Sequence, residues 1–116
     1  MKLINHIGAQ GELLLIRVDS IPTGTKSVKP ECGRLVVGHS ETGHHHAIDL
    51  REYPEVNLFD VPTDALDGYI EVGMPFADLV HMRDYDTHET LRLPEGKYQI
   101  RRQREHTIEG WRPVLD

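Results

Sequence analysis

Apolar runs in this chain are short and often β-branched, and glycine or proline cuts them about every ten to fifteen residues, which favours strands joined by turns over long helices. An all-β fold follows: a small single-domain β-barrel or sandwich built from antiparallel hairpins over residues 1–116, with at most one or two short helical turns. A chain of 116 residues can bury most of its apolar surface without disulfides. Cys32 stands alone, which removes an intramolecular disulfide and any cysteine-built zinc cage.

Leu3 to Ile7 reads as a first strand, Gly8 to Gly11 as a turn, and Glu12 to Val18 as a second strand. Arg34 to His39 and His44 to Leu50 read as a hairpin around Ser40-Glu41-Thr42-Gly43, where Gly43 can supply positive φ. Thr63 to Gly68 has the cap and closing glycine of an isolated helical turn. Tyr69 to Val72 reads as a short strand, and Ala77 to Arg83 reads as a strand in preference to a short helix opened by Pro75 with Phe76, Leu79 and Val80 on one side. A last hairpin is expected from Thr90-Leu-Arg-Leu and Tyr98-Gln-Ile-Arg around Pro94-Glu-Gly-Lys97, with Leu91, Leu93, Tyr98 and Ile100 facing a core. The tail from Glu109 is expected to pack its tryptophan over one end of the sheet.

The net charge of −6 disfavours a sequence-independent grip on nucleic acid, which needs accumulated Lys and Arg. No run approaches the length of a membrane span or a signal-peptide core, so a cytoplasmic location is expected. One basic strand, Lys97 to Arg104, could face an acidic partner, although a solvated face is the commoner use of such a run.

Histidine is the residue that points to chemistry. Three of the chain's eight histidines lie between Thr42 and His46. Side chains alternate along a strand and cross-strand partners share a face, so an even-membered loop puts His39, His44 and His46 on one side. An odd loop with a bulge would put His39 beside His45 instead. Imidazoles about 5 Å apart across strands and about 7 Å apart along one can converge on a divalent ion. Nitrogen donors of this kind suit the transition series, Zn, Fe, Ni, Mn or Cu, without choosing among them. His81 and His88 could add ligands if strands 77–83 and 87–93 form the next hairpin. Glu41 is the nearest candidate for a general base on metal-bound water, with Glu89 behind it. His6 and His106 look isolated.

The stretch His39-Ser-Glu-Thr-Gly-His-His-His, then His88-Glu-Thr-Leu-Arg-Leu-Pro-Glu-Gly-Lys-Tyr and Gln103-Arg-Glu-His, resembles a small bacterial and phage-encoded β-barrel family of uncharacterised proteins. The resemblance runs from Gly11 onward and implies that His39, Glu41, His44, His46, His81 and His88 belong to the family pattern, with His45 variable. The chain departs from it in two places: His81 and His88 are more widely spaced, and His106 stands where the pattern has tyrosine. The His-x-His and Pro-x-Gly elements are also similar to those of cupins, barrels that hold a metal through histidines and one glutamate. That likeness is an analogy of fold, and the window for a cupin glutamate holds Leu50 and Arg51.

Three functions compete. In the first, a divalent transition ion bound by His39, His44, His46 and one of His81 or His88 keeps a position open for a small-molecule substrate. The second is a non-catalytic binding or accessory module, phage-derived in origin, with a structural metal or none. The third is a metal-free barrel that meets acidic partners through Lys97, Arg101, Arg102 and Arg104. A homo-oligomer is compatible with each.

Overall fold

Strands follow one another throughout residues 2–3, 6–10, 12–38, 45–81, 89–102, 104–107 and 110–113, which the computed structural model describes, and no helix occurs among them. In chain order they are β1 (Lys2–Leu3), β2 (Ile7–Gln10), β3 (Leu13–Val18), β4 (Lys26–Ser27), β5 (Arg34–Gly38), β6 (His46–Asp49), β7 (Val56–Val61), β8 (Asp64–His81), β9 (Leu91–Arg102), β10 (Arg104–Thr107) and β11 (Gly110–Pro113). Nearly all pair antiparallel, as the turn punctuation predicts; β1 alone among the described strands runs parallel, alongside Leu91 and Arg92 of β9. No helix of the described residues is long and apolar enough to cross a membrane.

The β8–β9 hairpin shapes the molecule. Its register runs from Asp67 opposite Arg101 to Leu79 opposite Leu91, but Gly73, Met74 and Pro75 stand against Glu95 alone, between the pairs Val72–Gly96 and Phe76–Pro94. Both strands change face there. In β8 the buried positions are Gly68, Ile70 and Val72, then Ala77, Leu79 and His81; in β9 they are Leu91 and Leu93, then Tyr98 and Ile100. Side chains alternate along a strand, so a switch from even to odd positions means that the opposite face turns inward past the irregularity. The hairpin bends over itself, and its two halves cover one core.

Gly96 makes the bend possible. Its φ is 150°, and a Cβ there would lie 2.7 Å from Arg17 Nη2. Arg17 in turn donates from Nη2 to the Glu95 carbonyl at 2.7 Å and sits 5.6 Å from the centre of the Tyr98 ring. A glycine here lets the guanidinium brace the bend from outside.

Each half of the hairpin recruits its own neighbours. β3 lies along β9 from Lys97 to Arg102, with β2 beyond it. β7 lies along the first half of β8 and carries β4, while β6 pairs with the end of β8 and carries β5. The main path is therefore β2-β3-β9-β8-β6-β5. Leu13, Leu15, Leu35, Val37, Ile48, Leu58, Ile70, Leu79, Leu91, Leu93, Tyr98 and Ile100 all belong to one buried cluster. Full burial of an aliphatic side chain of this size contributes about 1.5–3 kcal/mol, so this cluster is the main stabilising term.

Three expectations are corrected. Ile7–Gln10 is a strand, with Gln10 opposite Leu13, so the chain reverses between those two residues and not over Gly8 to Gly11. Thr63 to Gly68 contains no helical turn: β8 begins at Asp64, and Gly68 sits opposite Ile100, where a Cβ would come within 3.1 Å of the Phe59 carbonyl. Close approach of backbones, and not the end of a helix, is what this glycine serves. Pro94 to Lys97 is likewise no turn but the bend within continuous β9, whose partner is β8. In the tail, β10 and β11 pair with each other, His106 opposite Trp111.

Candidate metal centre

The hairpin expected to carry the histidines is present as β5 and β6, with one irregularity that alters its parity. Arg34, Leu35 and Val36 oppose Asp49, Ile48 and Ala47, and then Gly38, not Val37, opposes His46. The extra residue at Val37 gives the odd register where the strands meet their connecting loop, in place of the even one expected. His39, Glu41 and His44 lie beyond this point, outside the described residues, as does His88. Gly38 suits its place, because a Cβ there would meet His46 Cδ2 at 3.2 Å and Leu13 Cδ2 at 3.1 Å.

Two of the expected ligands are brought together. His46 and His81 are cross-strand partners, both buried, and their rings stack with centroids 4.1 Å apart and planes 2° from parallel. An ion bound by imidazole lies near the ring plane, about 2.0–2.1 Å from the nitrogen. Parallel planes share no point, so stacked rings aim their nitrogens at different places, and His81 supports the face of His46.

Residues from the β2–β3 reversal fix how the His46 ring is used. Gln10 Nε2 donates to the carbonyls of Leu79 at 3.0 Å and Glu89 at 2.8 Å. Those two bonds settle the orientation of the amide, so Gln10 Oε1, 2.8 Å from His46 Nδ1, accepts a proton from that nitrogen. Nδ1 is thereby the protonated nitrogen facing Gln10, and Nε2 faces the Glu12 carboxylate, both of whose oxygens lie at 3.2 Å. The Glu12 side chain is 6% exposed and that of His46 is fully enclosed. Neither Gln10 nor Glu12 carries a signal in the sequence: Gln10 falls in an expected turn and Glu12 at the start of an expected strand, and only folding brings them across about 35 residues of chain to His46.

Other expected residues have different employment. Arg101 pairs with Asp67 at 2.6 Å. Arg102 donates to the carbonyls of Val37, Ala65 and Asp67 at 2.9, 3.3 and 3.1 Å, tying the bulge of β5 to β8; burial lowers its pKa, with Asp60 and Asp67 opposing. On the outer face Asp78 accepts two hydrogen bonds from Arg92 and one from the Tyr53 hydroxyl. The Arg92 bond leads in holding the Asp78 carboxyl below its usual range, whereas burial, followed by the Asp78 hydrogen bond, raises the Tyr53 phenol. No cluster of three or more His, Cys, Asp and Glu arranged to hold an ion occurs among the described residues.

Fold and site together define an all-β domain with a buried imidazole–carboxamide–carboxylate cluster. The chain belongs to the family described as a domain of unknown function, DUF8820, which matches residues 9–103. That span encloses Gln10, Glu12, His46 and His81 and leaves β10 and β11 outside. No curated protein and no solved structure matches the chain.

Proposed function

We propose that this domain binds a divalent transition ion at the loop end of the β5–β6 hairpin, with His46 Nε2 as a ligand. The observation that carries the reading is the anchoring of His46 through Nδ1–H, which turns Nε2 away from Gln10. Metal-binding histidines characteristically donate their second ring nitrogen to an acceptor that orients the ring, and Gln10 is such an acceptor, itself held by two backbone carbonyls. His44 and His88 are the further nitrogen donors of this reading; the odd register at Gly38–His46 would pair His39 with His45 and not with His46. While the rings stay stacked, His88 completes the set and His81 packs against His46; His81 becomes a ligand only if the stack opens. Glu41 is then the base for water on the ion, and a small molecule the substrate class, if one coordination position stays open.

Metal analysis of tag-free protein, before and after incubation with Zn or Fe and desalting, tests the proposal. About one equivalent is expected in the wild type and under about 0.2 in His46→Ala. A wild-type content that stays under about 0.2 equivalents after loading would overturn it.

A further inference from the structure

The position of Glu12 deepens this reading, on which the inference rests. With Nδ1–H committed to Gln10, the other ring nitrogen of His46 faces a buried carboxylate, and two lone-pair-bearing groups are held together only by a cation between them. A proton and a metal ion are the two candidates, and they leave different geometries. A proton shared in a charge-assisted bond draws nitrogen and one oxygen to about 2.7–2.9 Å along a single line. Two donors of one ion, each about 2.1 Å from it, are separated by about 3.0 Å at a right angle and about 3.4 Å at the tetrahedral angle. Here both oxygens stand 3.2 Å from Nε2, at the long edge of an N–H···O bond and within the range of two donors that share one ion.

We infer that the Glu12 carboxylate is a ligand of the same ion as His46 Nε2, so that the centre is a mixed nitrogen–oxygen site with a ligand from the β2–β3 reversal. A carboxylate beside imidazoles shifts the preference away from soft monovalent copper and toward Zn, Fe, Mn or Co. It also fastens the β2–β3 reversal to β6.

The test uses the full chain, loaded with Zn for affinity by chelator competition and with Co for its visible absorption. Glu12→Gln keeps the size and hydrogen-bonding shape of the side chain, and Glu12→Asp restores the charge. Loss of a residue that merely orients a ligand costs about 10–100-fold in affinity. A larger loss in Glu12→Gln, an altered Co spectrum and partial recovery in Glu12→Asp are expected. A Glu12→Gln protein that binds Zn within about 100-fold of wild type with an unchanged Co spectrum overturns Glu12 as a ligand and leaves the His46 centre standing. Failure of the wild type to bind either ion removes the centre and Glu12 together. Thermal unfolding of each metal-free variant, unchanged for Glu12→Gln, separates lost ligation from lost folding.

Discussion

Replacing Gly96 by alanine attacks the bend on which the double use of the β8–β9 hairpin depends. Two costs are readable from the structure. An L-residue held at a positive φ, here 150°, costs about 1–3 kcal/mol. The new Cβ, 2.7 Å from Arg17 Nη2, must also push the guanidinium aside, and the displaced bond to the Glu95 carbonyl contributes about 1 kcal/mol. The sum is about 2–4 kcal/mol, which lowers the melting temperature of a domain this size by roughly 8–16 °C. Urea unfolding of wild type, Gly96→Ala, Arg17→Ala and the double variant forms a cycle. Once Arg17 is truncated, only the backbone cost of Gly96→Ala remains, so a coupling of about 1 kcal/mol is expected. A Gly96→Ala cost below about 1 kcal/mol, or strict additivity with Arg17→Ala, would refute the claim that this glycine sets the bend.

Gln10→Leu removes the acceptor of His46 Nδ1–H and the donor to two carbonyls while roughly keeping the volume; a stability loss of about 2–4 kcal/mol and a 10–100-fold fall in Zn affinity are expected, read by urea titration and chelator competition. Arg102→Ala should cost about 2 kcal/mol in the same titration, since it releases β5 at Val37 from β8, and Arg102→Lys should recover little because one ammonium cannot span three carbonyls. The pH dependence of stability has two limbs. Asp78, whose pKa is lowered in the fold, stabilises above the ordinary carboxylate value near ~3.9 and loses that contribution as pH falls through its folded value; Asp78→Asn should flatten the acid limb. Tyr53, whose pKa is raised, contributes fully below about 10 and loses its contribution as pH rises further, so Tyr53→Phe should flatten the alkaline limb at a cost of about 1 kcal/mol at neutrality.

Much of the fold was legible because strand burial imposes a period of two on the residues themselves. Leu91, Leu93, Tyr98 and Ile100 were assigned to the core by that period, and all four are buried. The same residues misled about connectivity. A shift of phase between Leu93 and Tyr98, at Pro-Glu-Gly, is what a turn produces, and it is also what a bend in a continuous strand produces. Composition does not distinguish them, since both need a glycine. At the site, His46 and His81 are legible as candidate ligands but not as cross-strand partners, whereas Gln10 in an expected turn and Glu12 at the start of an expected strand carry no sign of the site.

What the residues determined alone is the all-β class, the identity of the core, and the concentration of imidazole near one hairpin, because alternation and side-chain chemistry are local properties. The tertiary structure decided the rest: an extra residue at Val37 that sets the register opposite His46, a folded β8–β9 hairpin that stacks His81 on His46, and a reversal that delivers Gln10 and Glu12 to the two nitrogens of one ring. These are relations between residues distant in sequence. They come from which faces must be buried together, a condition that only the packed core imposes.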